Sequence, residues 1–172
     1  MCVSHPPGAR YTALRVRGGN YHKMMRGWRK MTEMAHNSAE RAELLAAARE
    51  AATHAWTPYS HFRVGAAVAI EAAEGQRIVS GANVENASYG LTLCAERAAL
   101  AAACQLGAEG APPKVTAVAV VGLDARPGEC MPCGACRQWL AELAPDADYY
   151  VEGVEETLHL DDLLPRRFTL DK

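Results

Sequence analysis

Three cysteines and one glutamate are the residues whose types and spacing could do chemistry. In Pro132-Cys133-Gly134-Ala135-Cys136-Arg137-Gln138 two thiols stand at i and i+3, which on a helix places them on one face about 5–6 Å apart. Earlier in the chain, Cys94-Ala95-Glu96-Arg97 offers a third thiol two residues before a carboxylate. Together they describe a zinc with Cys94, Cys133 and Cys136 as protein ligands and a fourth position left to water. A structural zinc usually closes that position with protein, so the pattern is that of a catalytic site. Glu96, beside the open position, can take a proton from a zinc-bound water and hand it to a substrate; its bland alternative is a solvated helix glutamate.

Both cysteine stretches fall at expected helix N-termini, where unpaired amides and the positive end of the helix dipole favour the thiolate that zinc needs. Three thiolates around Zn²⁺ leave a net charge of about −1, which weakens its ability to acidify water. Arg97 and Arg137 are therefore candidates to offset that charge through hydrogen bonds to the sulfurs, against the plainer reading of each as an exposed salt bridge. A closed site competes: Cys130 lies three residues before Cys133 and could complete a four-cysteine structural cluster, with Pro132 making the turn. The six cysteines also include Cys2 and Cys104 and could pair as disulfides. With three of them clustered at 130–136 and no secretory signal visible, metal ligation is the better reading. None of the six histidines, His61 included, sits where a metal site needs one.

The elements that must hold these residues can be read in order. Asn37-Ser38-Ala39-Glu40 reads as a capping box ahead of a helix whose buried stripe is Leu44, Leu45, Ala48 and Ala52, ended by Thr57-Pro58. Arg63 to Ile70 reads as a strand, with Gly65-Ala66-Ala67 allowing another backbone to come close. A turn at Glu74-Gly75 and a second strand, Arg77 to Val84, complete a hairpin. The polar run Asn83-Val84-Glu85-Asn86 then forms a loop feeding into Cys94. An Ala/Leu-rich helix from Cys94 to Gln105 stops at Gly107. Lys114 to Leu123 is a continuous apolar strand of the kind found in a sheet covered on both faces. The loop from Asp124 to Pro132 leads to a third helix ending near Pro145, a short strand Tyr149 to Val151, and a last helical turn from Leu160 to Leu164. The sum is an α/β fold, one mixed sheet with helices on both faces, without repeats or a second domain.

At 172 residues, 49% hydrophobic and 22% charged, the chain suits one soluble globular domain. No apolar run approaches the roughly 18–20 residues of a membrane span, and a cytoplasmic address is the default expectation. Charge is unevenly distributed. Residues 1–30 carry seven of the eighteen Lys and Arg and no Asp or Glu, leaving eleven basic against all twenty acidic residues in 31–172, a formal charge of −9. So acidic a body repels a phosphate backbone, which argues against nucleic acid as substrate and favours small neutral or cationic ligands. Residues 1–36 read as a basic leader, disordered or the product of a start placed too early, Met31 or Met34 being the alternatives. A transit peptide and a nucleic-acid-binding arm are the sharper readings. Residues 37–172 form the expected catalytic domain.

One family unites these motifs. Pro58-Tyr59-Ser60 with Phe62, Val64-Gly65-Ala66-Ala67, the run from Asn83 to Thr92 (NVENASYGLT), Cys94-Ala95-Glu96-Arg97, the run from Pro132 to Gln138, and Leu163-Leu164-Pro165 with Phe168 resemble the small zinc-dependent cytidine deaminases of the homotetrameric, three-cysteine type. The resemblance spans about residues 38–170 in the family's order. It implies a three-layer cytidine-deaminase-like fold, one Zn²⁺ per subunit, a homotetramer, and hydrolysis of cytidine and 2′-deoxycytidine to the uridines and ammonia in pyrimidine salvage. It also implies attack at C4 while Glu96 protonates N3 and then helps the amine leave. By the same resemblance Asn83 and Glu85 hold the ribose hydroxyls, Phe62 lines the nucleoside pocket, and Phe168 reaches the active site of a neighbouring subunit. For Glu85 there is an elementary reason to agree: a carboxylate accepts a hydrogen bond from a sugar hydroxyl and repels a phosphate, selecting nucleoside over nucleotide. The alternatives are a deaminase of a related cytosine nucleoside such as blasticidin S, and a non-catalytic zinc-stabilised module.

Overall fold

Residues 38–170 are described by this computed structural model. The readings placed on residues 1–36, on Cys2 and on the cap at Asn37 lie outside them. The first helix, α1, occupies 38–52 as far as it is described, and Leu44, Ala48 and Ala52 are fully buried while Leu45 is half-buried. It stops well before Thr57-Pro58. The reason is a competing set of backbone partners: Trp56 N–H donates to the Asn83 carbonyl (3.0 Å) and Glu85 N–H to the Trp56 carbonyl (2.8 Å). These bonds draw the segment out of the helix and satisfy its polar groups elsewhere.

Four strands follow from the alternating and apolar runs: β1 (Val64–Ala72), β2 (Gly75–Ala82), β3 (Val115–Gly122) and β4 (Asp148–Val151), in the order β2-β1-β3-β4. β1 pairs antiparallel with both β2 and β3, and β3 pairs parallel with β4, so the sheet is mixed. The β1–β2 hairpin turns at Gly75, whose φ of 119° is one that glycine adopts without a steric penalty. β2 ends at Ala82, short of the expected Val84. Val84 leaves the hairpin to exchange both backbone hydrogen bonds with Leu93, each 2.9 Å, which brings the residue before Cys94 back to the sheet end.

Side-chain alternation divides the core into two faces. Ala66, Val68, Ile70, Val118 and Val120 pack with Ala95, Ala99 and Leu100 of α2 (Ala95–Cys104) and Leu140 of α3 (Gly134–Leu143). Ala67, Ala69, Ala117, Ala119 and Val121 pack on the opposite face with Leu44 and Ala48 of α1. The fold is therefore three layers, as the apolar β3 run led us to expect. Small residues set the spacing between layers: a Cβ on Gly65 would lie 1.9 Å from the Ala48 carbonyl oxygen, and one on Gly81 2.5 Å from the Ala99 nitrogen. A final turn, α4 (Leu160–Leu163), anchors the tail through buried Leu160 and Leu163. Among the described residues no helix is long and apolar enough to cross a membrane.

Candidate metal and catalytic site

Cys94 and Cys133 are the N-cap residues of α2 and α3, and Cys136 lies in the first turn of α3. Neither cap thiol accepts a capping bond from the backbone of its own helix, and the two face one another across the two helix starts. The Sγ atoms of Cys94 and Cys133 lie 3.7 Å apart, those of Cys133 and Cys136 3.4 Å, and all three fall within 4.8 Å of one another. A tetrahedral zinc with Zn–S bonds of about 2.3 Å requires sulfurs about 3.8 Å apart, so the donor set fits the ion in number, type and spacing. Cys130 is not a member of this group, and the closed four-cysteine arrangement is not formed.

Electrostatics agree with ligation. A hydrogen bond from the Cys136 thiol pulls the Cys94 thiol down to about 5, helped against burial by Arg97 and Cys133. The same bond, together with burial, pushes the Cys136 thiol up. Arg97 Nη2 lies 3.7 Å from Cys94 Sγ and 2.7 Å from the Thr92 carbonyl oxygen, while its buried Nε has no partner. Arg137 donates to two carbonyls, Nε to Pro132 at 2.8 Å and Nη1 to Leu163 at 3.1 Å, tying the residue before Cys133 to α4 rather than reaching a sulfur.

Glu96 is only 4% exposed although it carries a carboxyl group. Burial raises its pKa, and the neighbouring Cys94 thiolate adds to the rise, against hydrogen bonds from its own backbone N–H and from Cys136. A carboxyl poised above its ordinary range and shielded from solvent suits the task of accepting a proton and giving it back. It faces a cavity of about 230 Å³ whose lining includes Cys94, Cys133, Phe62, Asn83 and Thr92. Glu129, Cys130 and Met131 form another part of the lining. The motif spacing gave no reason to pick these three as a pocket wall; their place just before Pro132-Cys133 was the available signal. The Cys130 thiol is pushed up to about 11 by burial, Glu96 adding to the effect, and remains neutral.

The expected substrate-holding residues are not all at this cavity. Phe62 and Asn83 are, with Phe62 delivered by a turn at His61, whose φ of 58° lies in the left-handed region that histidine tolerates better than most side chains. Asn83 is already engaged with the chain around Phe62: Nδ2 donates to the Phe62 carbonyl (2.9 Å) and Oδ1 accepts from Val64 N–H (2.8 Å). Glu85 lines an adjoining hollow with Tyr59, Ser60 and Tyr89, and Thr92 belongs to both. Its Oε2 accepts from the Tyr59 and Ser60 amides at 2.9 and 3.2 Å; a side-chain bond from Ser60 is the main cause of its lowered pKa. Phe168 stands apart, 66% exposed, on a groove with Trp139 and Leu143, its carbonyl accepting from Gln138 Nε2 at 3.0 Å.

Comparison with known proteins places this site in a family. Residues 30–152 match the family described as the cytidine and deoxycytidylate deaminase zinc-binding region. The cytidine deaminase of Halalkalibacterium halodurans is 43% identical over 136 residues, covering 77% of this chain and 96% of that one. That of Mycobacterium tuberculosis is 44% identical over 124 residues, covering 72% and 86%. Among solved structures, cytidine deaminase from Burkholderia pseudomallei superposes with a TM-score of 0.63 at 41% identity, over 74% of this chain and 98% of that one. The structure from M. tuberculosis does so with a TM-score of 0.61 at 40% identity, over 75% and 97%.

Proposed function

The chain belongs to the cytidine and deoxycytidylate deaminase zinc-binding family, and on that premise we propose that it is a cytidine deaminase, hydrolysing cytidine and 2′-deoxycytidine to uridine and 2′-deoxyuridine with release of ammonia. The observation that carries the reading is a buried carboxyl, Glu96, beside three thiols spaced for zinc, with Glu96, Cys94 and Cys133 lining one cavity. Cys94, Cys133 and Cys136 would hold a zinc ion, which would supply the Lewis acidity needed to make water a nucleophile at neutral pH.

The chain's own residues do the rest. Glu96 accepts a proton from the attacking water and delivers it to N3 as the C4–O bond forms. It then takes the proton of the new C4 hydroxyl and gives it to the exocyclic amine as the C4–N bond breaks and the C4 carbonyl forms, so that water and cytidine leave as uridine and ammonia. Arg97, at hydrogen-bond distance of the Cys94 sulfur, offsets part of the thiolate charge. Phe62 supplies an apolar wall for the base, and Asn83 and Glu85 hold the ribose. Asn83 can do so while anchoring the Phe62 segment, because an amide has two donor hydrogens and two acceptor lone pairs and only one of each is occupied by that segment. The homotetramer is part of the same proposal: exposed Phe168 lies away from its own chain's cavity and is free to serve a neighbour's, and sedimentation of the purified protein reads the state directly. A cytoplasmic location and a role in pyrimidine salvage complete it.

Substrate choice tests the reading. Glu85, its pKa lowered by Ser60, and exposed Glu129 on the cavity place negative charge where a 5′-phosphate would add more. The zinc-loaded protein is expected to turn over cytidine and deoxycytidine, with dCMP and blasticidin S slow. Preference for dCMP or blasticidin S would overturn the assignment.

A further inference from the structure

The cavity has walls of two kinds. Glu96 and the thiols stand at the starts of α2 and α3, fixed by helix backbone and by the core beneath. Phe62, Glu129, Cys130 and Met131 stand on connecting segments with no regular structure to fix them. One side chain joins the two connecting segments. Asp124, two residues past Gly122 at the end of β3, accepts three hydrogen bonds from Arg63: the backbone N–H to Oδ2 at 2.9 Å, Nε to Oδ2 at 3.0 Å, and Nη2 to Oδ1 at 2.8 Å. Leu123 N–H in turn donates to the Arg63 carbonyl at 2.9 Å. Arg63 lies between Phe62 and Val64, both in the cavity lining, and Asp124 opens the loop that carries Glu129, Cys130 and Met131.

We propose that Arg63 and Asp124 are positioning residues for substrate binding, a two-pronged clasp that sets the Phe62 wall against the Glu129–Met131 wall. The Phe62 segment is gripped on one side by the Asn83 amide and on the other by Asp124. The loop is also tethered by Gly128 N–H to the Glu152 carbonyl at 2.7 Å and by Arg137 Nε to the Pro132 carbonyl at 2.8 Å. The second holds the loop next to Cys133, so loss of the clasp leaves the metal ligands in place and loosens only the substrate walls. The consequence is a change in binding that is the same for substrate and transition state, which raises KM and leaves kcat. Charge-assisted fork bonding suits such a role, because its planar geometry fixes orientation as well as distance.

The inference rests on the deaminase reading, and its experiment separates the two. Asp124→Ala, Asp124→Asn, Arg63→Ala and the double Arg63→Ala/Asp124→Ala variants are purified with zinc. For each, cytidine kinetics, uridine affinity by calorimetry, zinc content and melting temperature are measured. Asp124→Ala is expected to raise KM and the uridine Kd about fivefold or more, on the order of what an exposed charge pair plus a backbone bond contributes, with kcat within about twofold and one zinc retained. Arg63→Ala keeps its backbone N–H and is expected to shift both in the same direction by less. Asp124→Asn, which keeps one acceptor, falls between, and the double variant is no worse than Asp124→Ala. If Asp124→Ala does not fold, the order of the other two against wild type still decides.

Opposite KM shifts for the Asp124 and Arg63 variants would mean that their charges act through the electric field of the pocket and would overturn the clasp. A lowered melting temperature with unchanged KM and uridine affinity, or effects that simply multiply in the double variant, would overturn it as well. A wild-type protein that neither turns over cytidine nor binds uridine would refute the deaminase reading instead.

Discussion

Replacing Glu96 by Gln keeps the side chain's shape and removes its ability to carry a proton. The structure argues for a large loss with little collateral change. Glu96 is 4% exposed, and the other carboxyl group in the cavity lining, Glu129, is exposed and lies on a different wall. No neighbour is therefore placed to take over. A positioned general acid–base group contributes about 10²–10⁴ in rate, and in the proposed mechanism Glu96 serves two proton transfers on one path, so a fall in kcat of about 10⁴ is expected. At about 1.36 kcal/mol per decade that is roughly 5.5 kcal/mol of barrier. Folding should not suffer, because a neutral amide avoids the burial cost that raises the Glu96 pKa. The assay is the fall in ultraviolet absorbance of cytidine, run with zinc content and uridine calorimetry on the same preparation. A Glu96→Gln protein with one zinc per chain, uridine affinity within a few-fold of wild type, and kcat within tenfold of wild type would refute the assigned role.

The thiols and the layers give two more tests. Cys136→Ala should lose tight zinc binding, whereas Cys130→Ala should retain one zinc per chain after dialysis against a weak chelator, since Cys130 lies outside the sulfur group; equal losses in elemental analysis would restore the four-cysteine site. Gly65→Ala places a methyl group 1.9 Å from the Ala48 carbonyl oxygen, so α1 must shift off the sheet at a cost of about 2 kcal/mol or more, read as a lowered urea midpoint. An unchanged midpoint would mean that the layer spacing is not set there.

What could be read in advance divides along a physical line. Cys133 and Cys136, the Cys94-to-Glu96 interval, the stripe Leu44, Ala48 and Ala52, and the apolar run of β3 are all encoded within a few residues, and each stands where the pattern put it. The early end of α1 and of β2 was not legible. Both depend on Trp56, Val84 and Leu93 meeting as isolated bridges, and single backbone pairs formed by tertiary placement leave no periodic trace in the chain. Asn83 shows the same limit within the site: nothing local to Asn83-Val84-Glu85 discloses that its amide also holds the backbone around Phe62, nineteen residues away along the chain at Val64. The wall of Glu129, Cys130 and Met131 escaped because its loop has no pattern of its own.

That division also says which parts of the site can vary. Reacting groups on helix starts inherit their precision from backbone geometry and from the core, and the Ala-rich face of α2 against β2 leaves no slack: a Cβ at Gly81 would strike Ala99. Glu96, the proposed proton carrier, and the three thiols proposed as metal ligands therefore cannot be adjusted without rebuilding two layers. The loop walls are fixed instead by a few discrete bonds, the Arg63–Asp124 fork, the Asn83 amide and the Gly128 tether, each of which can be changed alone. Chemistry conserved by packing and binding tuned by separable bonds predict different mutational signatures. Substitutions beneath α2 and α3 should lower kcat and stability together, whereas substitutions at the loop bonds should move KM while the melting temperature stays nearly constant.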